Sequence, residues 1–224
     1  MRLRAHSVVL LAVSLAAVLL LLLVGGIVGY STYSIDRLGT ETEARLTERR
    51  IERSLDRLRE NMVSATVWSD AYTETLAGNQ AWMHLNFGDY FGKTMGHDVT
   101  VVYSPSGEVI YAARDSEAVS PSDEAAFAAA VAPLVRAVRD AAAEKRPIGA
   151  AVKPNALPSV ATREGAVSVG GEAYLVSVSS IVPEDAASDR VGIPDPVVAS
   201  GYRVSTLVAS LAEELDLESP RLVT

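Results

Sequence analysis

Four side chains between residues 68 and 86 could together bind a small molecule. Trp68 and Tyr72 are aromatic residues with polar tips, and Asp70 and Asn86 supply a carboxylate and an amide. Ligand pockets combine apolar walls with a few orienting polar groups, so these residue types favour recognition over chemistry. The alternative interpretation places Trp68 and Tyr72 in the core and makes Asp70 a helix cap or a buried hydrogen-bonding group.

The backbone path near Trp68 decides whether these side chains meet. In an unbroken helix Trp68 and Tyr72 lie one turn apart on one face, and Asp70 points away by about 200°. A break near Trp68 would allow all three to converge. Asp98 stands where a strand is predicted to start, so it is equally a turn residue. It belongs to a set near the first predicted hairpin that could line the same cavity: Asp98, Tyr103 and Tyr111.

Residue patterns for catalysis are missing from the sequence. No G-x-S-x-G, Walker or H-E-x-x-H motif occurs, and Ser179 and Ser180 have no histidine near them in the sequence. Outside the N-terminal segment the histidines are His84 and His97, too few for a metal site without a third ligand. We therefore expect no catalytic residues, no metal and no cofactor in these residues.

Composition limits the class of protein further. A chain of 224 residues with 49% hydrophobic residues is long enough for one well-cored domain and an accessory element. Its formal net charge of −8 argues against a nucleic-acid partner, because phosphate binding needs a basic face. The absence of cysteine excludes disulfides and thiolate sites.

An apolar run near the N-terminus predicts a membrane anchor. Residues 7–30 carry no charge and are long enough to span a bilayer. The alternative is a cleaved signal peptide, whose apolar region is usually shorter, about 7–15 residues. Because Arg2 and Arg4 precede the run, the positive-inside rule places residues 1–6 in the cytoplasm and the rest of the chain outside the inner membrane.

Residues 31–66 predict a long membrane-proximal helix, since they lack proline and are rich in Glu and Arg. An apolar seam with coiled-coil spacing follows one side of it: Ile51, Leu55, Leu58 and Met62. Two interpretations remain open at this point. The seam either forms a homodimer contact or packs on its own domain, because two heptads are too few to decide.

Residues 67–217 predict one α+β domain, followed by a tail at 218–224. Asn79 should cap a short helix from Gln80 to about Phe87, and Pro121 should open an Ala-rich helix that Pro133 kinks or splits. Ser205 should cap a closing helix with Leu207, Leu211 and Leu215 on one face.

The predicted strands are His97–Tyr103, Glu108–Ala113, Ala166–Val169, Glu172–Val182 and Val197–Val204. This order favours an antiparallel sheet with packed helices.

The motif Trp68-Ser69-Asp70-Ala71-Tyr72 resembles the fourth type of CHASE domain when taken with several later segments. These segments are Asn79, Asn86, Asp98–Val102, Gly107–Tyr111, Gly165–Val167, Tyr174–Val176, Ile181–Pro183 and Tyr202-Arg203. The resemblance covers roughly residues 46–215. One departure is Ser69, which stands where the family often has the first of two acidic residues.

The resemblance implies a PAS- or Cache-like extracytoplasmic sensor between two membrane helices. Such domains precede diguanylate cyclase, phosphodiesterase or histidine kinase modules, which links them to cyclic di-GMP signalling. The residues to Thr224 contain one apolar span and no catalytic module. We therefore expect an output module beyond Thr224 or in a partner. The alternative function is a membrane-anchored interaction or structural module without a small ligand.

Overall fold

The computed structural model describes residues 49–145, 158–184 and 193–214. The chain divides into two compact units, Met1–Glu52 and Arg53–Thr224, and the described residues of the first unit, 49–52, are helical. The second unit starts at Arg53, which lies inside the predicted membrane-proximal helix. Residues 1–6, the span at 7–30 and the tail at 218–224 lie outside the described ranges. Within those ranges no helix is both long and apolar enough to cross a membrane.

Four helical segments precede the sheet: α1 (residues 49–66), α2 (Ser69–Leu76), α3 (Gln80–Met83) and a π-helix (His84–Thr94). The predicted cap is confirmed, because the Asn79 side chain accepts a hydrogen bond from the Trp82 N–H at 3.2 Å. The π-helix was not predicted. It lies close to the sheet at Gly88, where an added Cβ would come within 2.3 Å of the Tyr111 hydroxyl.

Six strands form one antiparallel sheet in the order β3-β2-β1-β6-β5-β4. The strands are β1 (Val99–Tyr103), β2 (Val109–Arg114), β3 (Glu117–Val119), β4 (Thr162–Val169), β5 (Glu172–Ser180) and β6 (Val197–Arg203). The short edge strand β3 was not predicted. Gly170 and Gly171 have φ values of 61° and 87°, which the tight β4–β5 turn requires. The α+β class and the predicted hairpins are confirmed.

Helix α4 (Ala125–Lys145) corrects two predictions. It starts after a turn at residues 121–124 and not at Pro121, and it continues unbroken through Pro133. Proline removes one helical hydrogen bond, but the buried face of α4 outweighs that loss by packing Phe127 and Val131 on the sheet.

The closing helix α5 (Val204–Glu214) starts two residues earlier than a Ser205 cap predicts, so Ser205 lies in its first turn and does not cap it. The Ser205 hydroxyl lies 3.0 Å from a carboxylate oxygen of Glu172. The Leu211 side chain and Leu215, which belong to the predicted apolar face, lie outside what the structure describes.

Two apolar cores cover opposite faces of the sheet. One lies between the sheet and α4, and includes Val101 and Ala112. The other lies between the sheet and the preceding helices, and includes Met62 and Phe87. Because neighbouring strand residues point to opposite faces, each strand contributes to both cores. The helices from α1 to the π-helix therefore share one face of the sheet.

Candidate functional site

The helical chain breaks between α1 and α2. Trp68 has an extended backbone with φ −156° and ψ 127°, and Val67 forms a parallel β-bridge with Val182. The Val182 N–H donates to the Thr66 carbonyl at 2.8 Å, and the Trp68 N–H donates to the Val182 carbonyl at 3.0 Å. A helix break near Trp68, one of the two possibilities that the sequence allowed, is therefore present. Backbone hydrogen bonds join it to the segment that follows β5.

A groove with a volume of about 440 Å³ opens at this break. We call it the Trp68 groove, and its lining residues are Ser64, Ala65, Val67, Trp68, Asn86, Phe87, Tyr90 and Glu184. α1 and the break form one wall, and the π-helix forms the other. The Trp68 ring is held by Trp82 at a centroid distance of 5.2 Å, and Trp82 contacts Phe87 edge-on at 5.4 Å. These tilted and edge-on aromatic contacts hold the apolar wall of the groove in place.

Polar groups stand at the edges of this apolar wall. Asn86 donates its Nδ2 to the Trp82 carbonyl at 2.9 Å, which fixes the amide and leaves its oxygen as an acceptor for a ligand. The Glu184 N–H donates to the Ser69 hydroxyl at 3.3 Å, and the Glu184 side chain adds a carboxylate to the lining. The groove can therefore bind and orient a molecule. Its lining residues do not include a nucleophile paired with a base.

Trp68 and Asn86 are the predicted ligand residues that line the groove. Asp70 is exposed in the first turn of α2, where its charge favours the positive end of the helix dipole. Tyr72 is 5% exposed and packs in the core beneath the helices. Tyr72 therefore follows the alternative interpretation, whereas Asp70 is neither the helix cap nor buried, and neither residue converges with Trp68.

Tyr103 and Tyr111 lie in different cores. Tyr111 faces the helices and its hydroxyl lies 3.2 Å from Nδ1 of His84, whereas Tyr103 faces α4 and donates to the Ala128 carbonyl at 3.2 Å. Burial raises the pKa of each phenol to about 12. The two tyrosines therefore do not face one cavity, because the sheet separates them.

Asp98 belongs to an ion-pair cluster at one end of the sheet. Its Oδ2 accepts from the Arg203 backbone N–H at 2.6 Å, and its Oδ1 lies 3.4 Å from Arg203 Nε. Arg203 also pairs with Asp115. Burial raises the pKa of Asp98, and the Arg203 contacts oppose this rise. Asp98 thus positions Arg203 and does not line the Trp68 groove.

The predicted dimer seam is divided by the fold. Leu58 and Met62 are 0% exposed, because they lie on the face of α1 that packs within the second unit. Leu55 is half-buried, and Ile51 is 37% exposed. Self-association therefore remains a prediction for the N-terminal half of the seam, and the C-terminal half belongs to the core.

Sequence reasoning missed much of the groove's lining. Ser64, Phe87, Tyr90 and Glu184 were not predicted. For Phe87 and Tyr90 the reason is the π-helix, which aligns side chains that α-helical spacing would separate. The available signal was the pair Gly88 and Gly92, four residues apart. An added Cβ would come within 3 Å of Tyr111 of β2 at Gly88, and within 3 Å of Ser116 in the β2–β3 turn at Gly92.

The structure is an α+β domain with helices on both faces of one antiparallel sheet and a groove at a helix break. The model of the CHASE4 domain matches residues 50–219, and the chain belongs to this family. CHASE4 is a family of extracytoplasmic sensory domains in membrane-bound signalling proteins. A search of curated proteins found no match to the chain.

Proposed function

We propose that this chain is the small-molecule sensor of a membrane-anchored bacterial signalling protein and that the ligand binds in the Trp68 groove. The observation that carries the proposal is the groove itself, whose volume of about 440 Å³ lies within the range of ligand pockets. It opens at the break that joins α1 to the sheet, where a ligand could affect both.

The ligand that fits the lining is a compact neutral or cationic molecule. Trp68 and Tyr90 offer ring faces, which attract apolar groups and cations. Glu184 is the charged residue among the described lining residues, and it favours a cation or a hydrogen-bond donor. The net charge of −8 acts in the same direction, because a negative domain repels anions.

Binding would signal through α1. Trp68 follows α1 directly, so a ligand that favours one position of the Trp68 wall also favours one position of α1. A few kcal/mol of differential affinity would shift a two-state balance. The signal would pass through the membrane-proximal helix and the span at 7–30 to a diguanylate cyclase, phosphodiesterase or histidine kinase module.

The apolar run at 7–30 supports anchorage in the inner membrane, with the domain on the extracytoplasmic side. The strand order β3-β2-β1-β6-β5-β4, with helices before the sheet on one face, supports the PAS- or Cache-like interpretation. The chain would form a homodimer through Ile51 and Leu55, because these seam residues keep exposed surface.

Thermal unfolding of the full chain against a library of small neutral and amine compounds tests the ligand proposal, because a ligand of the native state raises the melting temperature. Tyr90→Ala should weaken binding of each hit about tenfold, since it removes an aromatic wall. Leu85→Ala is the matched control, because Leu85 is on the same π-helix and 62% exposed but does not line the groove. Equal affinities of the two variants would contradict the proposal.

A surface-interaction module is the second candidate function. Leu85 and Tyr90 of the π-helix are 62% and 45% exposed, and exposed large apolar side chains are typical of protein contacts. The same variants separate the two functions. A partner contact on this surface would be weakened by Leu85→Ala as well as by Tyr90→Ala. Binding of a ligand in the groove would be weakened by Tyr90→Ala and not by Leu85→Ala.

A further inference from the structure

A second cavity, of about 200 Å³, lies where α1, β6 and the first turns of α5 meet. Ser54 and Arg57 of α1 line one side, and Thr206 and Leu207 of α5 line another. Met95 and Tyr202 also line the cavity. The cavity shares no lining residue with the Trp68 groove, so occupation of one site does not exclude occupation of the other.

Arg57 gives this cavity its charge. It is the charged residue among the described lining residues, and within the described ranges no carboxylate pairs with its guanidinium. Burial raises the pKa of Tyr202, and the Arg57 charge opposes that rise, which indicates that the guanidinium lies near the phenol. Among the described residues, the cavity therefore presents a guanidinium that no carboxylate neutralises.

The remaining lining residues define what kind of anion fits. The Ser54 and Thr206 hydroxyls can donate hydrogen bonds, and Met95 and Leu207 are apolar. The Tyr202 hydroxyl already donates to the Met95 carbonyl at 3.3 Å, so this side chain serves as a wall. One guanidinium balances one negative charge, and its planar fork matches a carboxylate. A dianion would leave one charge uncompensated beside apolar atoms.

We propose that this cavity binds a small aliphatic monocarboxylate, with the carboxylate on Arg57 and the short chain against Met95 and Leu207. Because the volume is below the range of drug-sized pockets, an acid of a few carbons fits best. The bound acid would join α1 to α5, since both helices line the cavity. It would thus act on α1 independently of the Trp68 groove.

Thermal unfolding of the full chain with sodium propionate, compared with sodium chloride at equal ionic strength, tests this site. Wild type should gain a melting-temperature increase that grows with propionate concentration. Arg57→Gln should abolish this increase. Arg59→Gln is the matched control, because it removes an exposed arginine of α1 that pairs with Asp56 at 3.0 Å and lies outside the cavity.

Leu207→Trp provides a second variant, which fills the cavity while the Arg57 charge remains. It should also abolish the propionate effect, and Tyr90→Ala of the Trp68 groove should retain it. The proposal is overturned if propionate does not stabilise wild type, or if Arg57→Gln responds like wild type. An Arg57-dependent response to sulfate equal to that of propionate would overturn the assignment to a monocarboxylate.

Discussion

Val67 and Val182 form a parallel β-bridge that joins the break between α1 and α2 to the chain that leaves β5. Directly before the bridge, the buried hydroxyl oxygens of Thr66 and Ser179 lie 2.8 Å apart. Thr66 Oγ1 also donates to the Met62 carbonyl at 2.7 Å. The wall of the Trp68 groove is therefore attached to the sheet through backbone and side-chain hydrogen bonds.

Thr66→Val should lower the free energy of unfolding by about 1–2 kcal/mol, because the buried Ser179 hydroxyl would lose a partner. Ser64→Ala is the control, since its exposed hydroxyl donates to the Asn61 carbonyl of the same helix, and its cost should stay within about 0.5 kcal/mol. Urea denaturation of the full chain measures both. A cost for Thr66→Val no larger than that of the control would show that this bond does not stabilise the break.

Glu124→Gln should lower the free energy of unfolding by about 2–4 kcal/mol. The Glu124 carboxylate is 2% exposed and accepts two hydrogen bonds from Arg114, at 2.5 and 2.6 Å, so its neutralisation leaves Arg114 without its counter-ion. Because the Arg114 side chain is 33% exposed, we expect less than the full cost of a buried pair. Asp56→Asn breaks an exposed pair and should cost less than about 1 kcal/mol. Equal denaturation midpoints for Glu124→Gln and Asp56→Asn would contradict this prediction.

His97 should make the domain unstable in acid. Its ring is 3% exposed, and burial, followed by the Arg57 charge, lowers its pKa to about 3. An unfolded histidine has a pKa of about 6.5, so between these values the unfolded state binds one proton more than the folded state. The stability contributed by the uncharged, buried His97 is fully present above about pH 6.5. Below that value, about 1.4 kcal/mol of the free energy of unfolding is lost per pH unit as the pH falls toward 3.

Urea denaturation between about pH 4 and 6.5 measures this slope. His97→Gln should reduce the slope by about one proton, and His84→Gln should keep it because the buried ring stays in place. The Nδ1 of His97 lies 2.7 Å from the Ser200 hydroxyl, so the variant can also lower stability at every pH. Only the slope therefore decides, and equal slopes in wild type and His97→Gln would be the contradictory result.

Ile51→Ala and Leu55→Ala should weaken self-association of the chain, because these side chains keep exposed surface on the predicted seam. Leu58→Glu is not a suitable test, since Leu58 is 0% exposed and the charge would unfold the domain. Leu85→Ala removes a more exposed leucine on another helix and serves as the control. Sedimentation equilibrium in detergent measures the association constant. A wild-type constant in the seam variants would exclude this contact.

Local patterns predicted most of the fold. Asn79 and the Gly170-Gly171 turn were correctly assigned because a helix cap and a tight hairpin each depend on a few adjacent residues. Pro121 does not open α4 and Pro133 does not split it, since burial of α4 against the sheet outweighs local preference. The π-helix was missed because its hydrogen bonds follow from packing on the sheet and not from a sequence period.

The candidate site was harder to predict. Trp68 and Asn86 were found by residue type, but Asp70 and Tyr72 point elsewhere because the break at Val67 and Trp68 starts a new helix with its own phase. Tyr103 and Tyr111 lie on opposite faces of the sheet, because Tyr111 pairs with Val102 and the next residue of β1, Tyr103, points to the other face. This register has no local signal, since it depends on the pairing of strands.

Fluorescence of Trp68 tests ligand binding in the groove most directly. The chain has two tryptophans, so Trp82→Phe leaves Trp68 as the reporter within the groove. We expect saturable changes in Trp68 emission when this variant is titrated with the neutral and amine compounds that raise the melting temperature. The midpoint should equal the Kd that isothermal titration calorimetry gives for the same compound. Asn86→Ala should shift both values by about tenfold, or about 1.4 kcal/mol. Compounds that bind by calorimetry without changing Trp68 emission, or a library without any binding compound, would contradict the account.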